Sequence, residues 1–268
     1  VGTPGQSKPA LGVVIDALRR MEYRGYDSAG IALLDGSGGM AVEKKAGKLD
    51  NLVATVESAG LENYPATTGI GHTRWATHGR PTDINAHPHV DQLGKIAVVH
   101  NGIIENFAPL HAELEAHGVE FTSETDTEAV THLLHAEYYG EGPNAGNFTA
   151  SVMAVINRLE GAFTLVIAHA DHPDMLMACR RSTPLVIGVG EHQMFLGSDV
   201  AAFIEHTREA VELGQDNVVT ITADGYTITD FEGNPVEGRP FTIDWVLEAA
   251  EKGGYDYFMR KGIAEQHQ

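Results

Sequence analysis

The sequence contains very little cysteine, since Cys179 is the single thiol among 268 residues. One cysteine cannot form a disulfide within the chain, and chains without disulfides are typical of reducing compartments. Cys179 ends the apolar run Met175-Leu176-Met177-Ala178-Cys179 and has no neighbouring histidine in sequence. This setting favours a small buried side chain over a nucleophile. We therefore expect a cytoplasmic protein in which Cys179 has no catalytic role.

Positive charge is also scarce, because 18 lysines and arginines face 37 aspartates and glutamates, which gives a formal net charge of −19. A surface of that sign repels phosphate backbones and anionic lipids. No apolar run approaches the length of a membrane span. We therefore expect neither nucleic acid nor membrane as a partner. One cationic side chain in a pocket would still suffice to bind an anionic small molecule.

Repeats, low-complexity tracts and long linkers are missing as well, which favours one domain. Helical periodicity predicts helices over residues 11–20, 48–58, 105–117, 127–139, 148–159 and 244–252, with Asn147 capping the fifth. Short apolar runs predict strands over residues 30–34, 40–46, 68–73, 95–100, 162–169, 175–180, 185–189 and 194–198. Residues 218–221 and 226–229 flank Ala223-Asp224-Gly225, a strong hairpin signal. This grouping indicates stacked sheets covered by helices.

The densest polar cluster is Gly71-His72-Thr73-Arg74-Trp75-Ala76-Thr77-His78-Gly79, which begins at a predicted strand end. A loop of this composition suits a carboxylate, because Arg74 offers a bidentate fork and the hydroxyl and backbone donors complete the site. The alternative is a solvated turn with a packed tryptophan. In the binding site, too, we expect Arg74 to be an exposed loop arginine that contributes little to stability. The clustering favours the binding site.

A second cluster, His100-Asn101-Gly102-Ile103-Ile104-Glu105-Asn106, follows the exit of an apolar strand. The side-chain amide of Asn101 and the N–H of Gly102 could converge on one oxygen as an oxyanion hole. Asn-Gly is also the commonest pair in tight turns, so the motif alone does not decide between a site and a turn.

A third cluster is Ser123-Glu124-Thr125-Asp126-Thr127-Glu128. It has the composition of a helix start, with Ser123 or Thr125 as the cap and acidic residues favoured by the helix dipole. The carboxylate of Asp126 could also hold an ammonium group. The two interpretations are compatible, because a capping loop can present a side chain to a site.

Histidine is abundant, with 14 residues, and His87-Pro88-His89 together with His100 raises the question of a metal. Pro88 fits an extended loop better than a preformed chelate, and no third ligand stands at helical or hairpin spacing. We therefore expect no metal and no cofactor, and a histidine-rich metal-dependent hydrolase has little support.

Five motifs together resemble one family. They are Glu22-Tyr23-Arg24-Gly25-Tyr26-Asp27-Ser28-Ala29-Gly30, residues 72–79, Asn85-Ala86-His87-Pro88-His89, residues 100–106 and residues 123–128. The sequence is similar to the glutaminase domain of the glutamine–fructose-6-phosphate aminotransferases, also called glucosamine-6-phosphate synthases. These are class II glutamine amidotransferases of the N-terminal nucleophile hydrolase type. The likeness runs from the first predicted helix to Asp256-Tyr257-Phe258-Met259.

The resemblance implies an α/β (α+β) fold, a four-layer α/β/β/α sandwich. It also implies that Arg74 binds the α-carboxylate of L-glutamine or L-glutamate and that Asp126 holds the α-ammonium. Asn101 and Gly102 would form the oxyanion hole. The resemblance also implies that Thr77 and His78 lie on the same loop as Arg74, and that Trp75 belongs to the part of this loop that closes over the substrate. Arg24 would lie near the nucleophile.

The family's nucleophile is an N-terminal cysteine followed by a Gly-rich apolar strand, and its α-amine is the base. This sequence opens Val1-Gly2-Thr3-Pro4, which resembles the end of that strand. We therefore expect the cysteine a few residues before Val1, and no glutamine hydrolysis by the sequence as it stands. We expect a glutaminase domain over residues 1–256, with residues 257–268 beginning the connection to a C-terminal sugar-isomerase domain, and a homodimer at full length. The alternative is a catalytically silent module that binds glutamine or glutamate.

Overall fold

The computed structural model describes residues 10–75 and 79–244 of the chain. Its helices are α1 (Ala10–Met21), α2 (Leu49–Ser58), α3 (Phe107–Ala116), α4 (Asp126–Tyr139) and α5 (Phe148–Ile156). Its strands are β1 (Ser28–Leu34), β2 (Met40–Ala46), β3 (Thr68–Arg74), β4 (His89–Val90), β5 (Ile96–Ile104), β6 (Gly161–His169), β7 (Leu176–Arg181), β8 (Val186–Gly190), β9 (Gln193–Gly197), β10 (Glu209–Glu212), β11 (Asn217–Thr222), β12 (Gly225–Asp230) and β13 (Arg239–Thr242). None of these helices has both the length and the apolar character needed to cross a bilayer.

The strands form three antiparallel sheets. A six-stranded sheet has the order β12-β11-β7-β6-β5-β4. A three-stranded sheet has the order β2-β1-β3, and a four-stranded sheet has the order β13-β10-β8-β9. Apolar side chains of the two smaller sheets share one core with one face of the six-stranded sheet.

The side chains on the two faces of β1 belong to two different hydrophobic cores. Ile31 and Leu33 pack against α1 and α2, whereas Ala32 and Leu34 belong to the core between the sheets. All four residues are fully buried. Because successive residues of a strand point to opposite faces, a strand buried on both faces is apolar throughout.

The six-stranded sheet repeats this arrangement on the other side of the molecule. In β5, Ile96 and Val98 pack against α3, α4 and α5, while Ala97 and Val99 face the two smaller sheets. The layers therefore follow one another as helices, paired small sheets, large sheet and helices. This is the α/β/β/α sandwich that the resemblance implies.

Helix α1 lies over both small sheets. Val14 and Leu18 pack against the three-stranded sheet, whereas Ala17 and Met21 pack with Phe195 of the four-stranded sheet. The helix therefore fixes the two sheets relative to each other, and the cleft described below opens beneath it.

Most predicted elements are confirmed within one or two residues, including β2, α2, the hairpin β11–β12 and the Asn147 cap, whose side chain accepts from the N–H of Ala150. Three strands were not predicted, namely β4, β10 and β13. The strand prediction that ended at His100 is wrong at that end, because β5 continues to Ile104. The predicted helix over residues 244–252 lies outside the described residues, apart from Asp244.

Candidate active site

A cleft of about 450 Å³ lies beneath α1, between the edges of the two small sheets. Strands β3, β5, β6 and β9 contribute to its walls. Six side chains or backbone groups predicted from the sequence line it: Arg24, Arg74, Trp75, Asn101, Gly102 and Asp126. The structure thus brings together residues up to 102 positions apart in sequence. Thr77 and His78, the other two predicted residues, lie outside the described part of the chain.

Arg74 is the last residue of β3 and only 5% of its surface is exposed. Its guanidinium donates to the carbonyl oxygens of Gly79 and Arg80 at 3.4 and 3.5 Å, and its Nη1 lies 3.9 Å from Asp27 Oδ1. Burial lowers the pKa of Arg74, and the charges of Asp27 and Asp126 oppose that effect. An arginine nevertheless keeps its charge in a protein. The expectation of an exposed loop arginine is therefore wrong, because the residue is a buried strand end.

Asp126 is the first residue of α4, and 16% of its side chain is exposed. Its Oδ2 accepts from the N–H of Ile104 at 2.8 Å, and its Oδ1 lies 3.6 Å from His100 Nδ1. Burial raises the pKa of Asp126, but the hydrogen bonds and charge of these neighbours outweigh it and leave the pKa lowered. The carboxylate is therefore charged near neutral pH and faces the cleft with Arg74.

Asn101 and Gly102 lie within β5 and do not form a tight turn. Gly102 has φ +123°, and a Cβ there would lie 2.0 Å from the carbonyl oxygen of Ala162 in β6. The position therefore requires glycine. The N–H groups of His100 and Ile104 donate to groups away from β6. Because amide directions alternate along a strand, the N–H of Gly102 lies on that same side, toward the cleft.

Trp75 follows directly on Arg74, and 68% of its surface is exposed. Its ring lies against Gly25, where a Cβ would come within 2.6 Å of the ring atom Cζ3. Gly25 has φ +75°, so both its backbone conformation and its missing side chain permit this contact. Trp75 therefore stands at the rim of the cleft.

Arg24 is held by the loop that follows β9. Its Nη1 donates to Ser198 Oγ at 2.9 Å, and its Nη2 donates to Asp199 Oδ2 at 3.0 Å. The hydroxyl of Tyr23 donates to the same carboxylate oxygen at 2.7 Å. Sequence reasoning missed Ser198 and Asp199, and no local signal could have found them, because they lie 174 and 175 residues from Arg24.

Histidine rings pack together at the wall of the cleft, and sequence reasoning did not predict that His72 joins His87 and His89 there. The rings of His72 and His87 stack with centroids 4.5 Å apart, and the rings of His87 and His89 meet edge to face at 5.0 Å. Burial lowers the pKa of His72 to about 4 and that of His89 to about 3, and it holds the pKa of His87 well below its usual value. The three rings are therefore neutral near pH 7. Within the described ranges, no three His, Cys, Asp or Glu side chains are arranged to hold a metal ion.

Cys179 is fully buried in β7, and its side chain belongs to the core between the large sheet and its helices. Burial raises the pKa of its thiol to about 12. The prediction that Cys179 has no catalytic role agrees with this position, since a buried thiol with a raised pKa is not a nucleophile.

The cleft thus combines a cation, an anion and two uncharged donors. Arg74 and Asp126 complement the carboxylate and ammonium groups of an amino acid. Asn101 and Gly102 offer amide N–H groups of the kind that stabilise a developing oxyanion. The arrangement suits acyl transfer from an amino acid whose side chain carries a carbonyl group.

A family model described as a glutamine amidotransferase domain matches residues 72–205 of the chain. The glutamine–fructose-6-phosphate aminotransferase (isomerizing) of Mycolicibacterium smegmatis is 66% identical over 267 residues, which cover 97% of this chain and 42% of that protein. The enzyme of the same name from Streptomyces coelicolor is 58% identical over 260 residues, which cover 96% of this chain and 41% of that protein. The chain therefore spans less than half the length of these relatives.

Solved structures show the same fold at low identity. The glutamine phosphoribosylpyrophosphate amidotransferase from B. subtilis, complexed with ADP and GMP, matches with a TM-score of 0.71 at 23% identity, covering 87% of this chain and 49% of that one. A glutamine aminotransferase class-II domain protein from Silicibacter pomeroyi matches with a TM-score of 0.52 at 18% identity, covering 76% of this chain and 91% of that one. At these identities the likeness carries the fold alone, and it agrees with the layered architecture described above.

Proposed function

Since the chain belongs to the glutamine amidotransferase domain family, we propose that the mature protein that contains it hydrolyses L-glutamine to L-glutamate and ammonia. The observation that carries this proposal is the shared cleft of Arg74, Asp126, Asn101 and Gly102. A zwitterionic amino acid needs one cation and one anion for recognition, and its side-chain carbonyl needs donors for the negative charge that develops during attack. The four residues match those needs.

In the proposed complex, each charged group of the substrate binds one charged side chain of the cleft. The guanidinium of Arg74 binds the α-carboxylate, and Asp126 accepts a hydrogen bond from the α-ammonium. Trp75, at the rim of the cleft, would close over the bound substrate, and we also assign Thr77 and His78 to substrate binding. Arg24, fixed by Ser198 and Asp199, would position the nucleophile.

The chemical steps require a thiol that the 268 residues do not offer in the cleft, and we assign it to a cysteine that precedes Val1 in the mature protein. Its thiol attacks the side-chain amide carbon of glutamine, and its α-amine takes the thiol proton, because such an amine has a pKa of about 7.7–8.0. Asn101 and Gly102 stabilise the oxyanion of the tetrahedral intermediate. The proton passes to the leaving nitrogen, so that ammonia departs and a γ-glutamyl thioester remains. Water then cleaves the thioester, which releases glutamate and regenerates the thiol.

The relatives that are similar in sequence support a proposal for the destination of the ammonia. We infer that the chain is the glutaminase domain, over residues 1–256, of a longer cytoplasmic enzyme. Residues 257–268 would then lead into a sugar-isomerase domain that uses the ammonia to make glucosamine 6-phosphate from fructose 6-phosphate. The full-length enzyme would be a homodimer. The length of the relatives supports this proposal, because the chain covers only 42% of the M. smegmatis protein.

The decisive experiment measures glutamate release by two proteins. One is the full-length protein with its N-terminal cysteine, and the other carries alanine in place of that cysteine. We expect turnover by the first and none by the second, together with a mass increase of one glutamyl group on the N-terminal peptide of the first after rapid acid quenching. Equal turnover by both proteins would overturn the thioester mechanism.

The same measurement decides the alternative function, a silent binding module. The observation in its favour is that Cys179, the single thiol of the sequence, is buried away from the cleft. A silent module would bind glutamine in calorimetric titration and yet release no glutamate even when the N-terminal cysteine is present.

A further inference from the structure

We propose that His72 is a positioning residue that fixes the side-chain amide of Asn101 with its N–H₂ group toward the substrate. This inference rests on the proposed function, because it assumes that Asn101 is an oxyanion donor. The observation behind it is the contact between His72 Nε2 and Asn101 Oδ1, which are 2.9 Å apart. His72 lies on β3 and Asn101 on β5, so the contact joins the small and the large sheet across the floor of the cleft.

The direction of this hydrogen bond follows from the chemistry of the two groups. The amide oxygen of Asn101 has no hydrogen to donate, so Nε2 of His72 must carry the proton. Burial lowers the pKa of His72 to about 4, which keeps the ring neutral at physiological pH. A neutral imidazole carries one proton, so Nδ1 is then a bare acceptor. In agreement with this tautomer, Nδ1 is buried and has no hydrogen-bond partner in the described structure.

The orientation of the Asn101 amide decides whether it helps or hinders the reaction. With Oδ1 held by His72, the N–H₂ group points away from the imidazole, and no described residue accepts from it. It is therefore available to an oxygen in the cleft that Asn101 lines. A rotation of the amide by 180° would replace this donor by a carbonyl oxygen, which repels an oxyanion. After that rotation Nε2 would have to accept from the N–H₂ group, which moves the ring proton to Nδ1. Nδ1 is buried and no described group accepts from it, so burying an unpaired N–H there opposes the rotation.

The ring of His72 is itself held in place. It stacks on His87 with an interplanar angle of 19° and a centroid distance of 4.5 Å. His87 Nδ1 in turn accepts from the N–H of His100 at 3.2 Å. His100 precedes Asn101 in β5, so the imidazole stack is anchored to the strand that carries the amide it orients.

Two substitutions at His72 separate positioning from packing. Glutamine places an amide nitrogen about as far from the backbone as Nε2, so His72→Gln can still donate to Asn101 Oδ1. Asparagine places its nitrogen about as far out as Nδ1, so His72→Asn is equally polar but cannot reach. Both variants are made in the full-length enzyme with its N-terminal cysteine, and thermal unfolding shows whether each one folds.

The expected result is a split between kcat and KM for glutamine hydrolysis. Loss of one oxyanion donor lowers kcat by about 10²–10³-fold, and a misoriented donor should retain part of its effect. We expect His72→Asn to lower kcat by about 10- to 100-fold with little change in KM, because the interaction strengthens only in the transition state. His72→Gln should recover about 10-fold of that loss. A purely structural role would give two variants with equal kcat.

Asn101→Ala distinguishes the failure of this inference from the failure of the proposed function. If His72 acts through Asn101, His72→Asn should cause little further loss of kcat when Asn101 is already alanine. If kcat falls strongly in Asn101→Ala but does not fall in His72→Asn, the positioning role of His72 is overturned, while the oxyanion role of Asn101 stands. Unchanged kcat for Asn101→Ala would overturn the oxyanion assignment of Asn101 and, with it, the role of His72.

Discussion

The guanidinium of Arg74 contacts its own chain, and the residue also lines the cleft. We expect Arg74→Ala in the full-length protein to weaken glutamate binding by about 10- to 100-fold, the loss typical of a charged hydrogen-bonded pair. We also expect a lower free energy of unfolding, by about 1–3 kcal/mol, since two carbonyl oxygens and Asp27 lose their partner. Calorimetric titration and urea unfolding measure the two effects.

The matched control is Arg80→Ala. It removes the same charge from an exposed position six residues away and leaves the carbonyl oxygen of residue 80 in place. Its glutamate affinity should stay within a few-fold of the unchanged protein. Equal losses of affinity in the two variants would mean that net charge, not Arg74 itself, governs binding.

Asp126 is tested by a ligand that lacks the group it is proposed to hold. In 4-carbamoylbutanoate a hydrogen replaces the α-ammonium of glutamine, while the carboxylate and amide remain. Asp126→Asn should weaken glutamine binding by about 10- to 100-fold and change the binding of 4-carbamoylbutanoate by less than about 3-fold. The asparagine keeps an oxygen for the N–H of Ile104, so the helix start should stay intact.

These titrations use full-length protein with alanine at the N-terminal position, so that glutamine is not consumed. If Asp126→Asn weakens both ligands equally, the carboxylate supports the shape of the site and does not bind the ammonium.

At the scale of elements, the contact between α1 and β3 depends on the absence of side chains. A Cβ on Gly71 of β3 would lie 2.5 Å from Cγ1 of Val14 in α1, whereas a Cβ on Gly12 of the same helix would meet nothing within 4 Å. We expect Gly71→Ala to lower the free energy of unfolding by about 1–3 kcal/mol through overpacking. Gly12→Ala should raise it by about 0.5–1 kcal/mol, because alanine favours the helix.

Denaturant unfolding of the two variants measures this difference in sign. A stability gain from both substitutions would show that α1 can move away from β3 at little cost. Since α1 lies over both small sheets, such a movement would also change the width of the cleft.

The elements that the sequence predicted well are those with a strong periodic pattern. α1 was found because its buried residues follow the repeat of a helix, and β1 was found because it is a short, continuous apolar run, as expected of a strand that is buried on both faces. β10 and β13 were missed because each has only four residues, of which two in β10 and all four in β13 are exposed. Their pairing partners, not their composition, make them strands.

For the candidate site, too, some features were predicted from the sequence and others were not. The sequence predicted the members of the cleft, because each described motif contributes a residue to it. It did not predict the contact between His72 and Asn101 or the anchoring of Arg24 by Ser198, since hydrogen bonds across the fold leave no local pattern. It also placed Asn101 at a strand exit, because the positive φ of Gly102 within a strand cannot be read from an Asn-Gly pair.

At the scale of the whole molecule, four histidines share depressed pKa values. Burial lowers the pKa of His72 and His169 to about 4 and that of His89 to about 3, and it keeps the pKa of His87 well below 6.5. As the pH falls below 6.5 the unfolded chain protonates first, so the unfolded state binds more protons and stability decreases. The decrease should develop between about pH 6.5 and pH 4 for His72 and His169 and should continue to about pH 3 for His89. Each histidine contributes up to about 1.4 kcal/mol per pH unit.

His169 allows this to be tested away from the cleft. It is fully buried, and its Nδ1 accepts from the N–H of Asp171. His169→Asn keeps an oxygen for that N–H but does not titrate. Urea unfolding at several pH values should therefore show that the free energy of unfolding depends less steeply on pH between pH 4 and 6.5. The difference should correspond to about one proton fewer taken up on unfolding. An unchanged slope would mean that His169 is not neutral in the folded protein.

Because Cys179 is buried, labelling of thiols in the folded protein can count the accessible cysteines of the chain. At pH 7 a thiol with a pKa of about 12 is ionised to only about one part in 10⁵, and the fully buried Sγ has no access to reagents in solution. Alkylation of the native protein should therefore leave Cys179 untouched. Any cysteine joined to this chain at an accessible position would react alone, so the amount of label bound per folded molecule would report the fraction of molecules that carry a competent nucleophile.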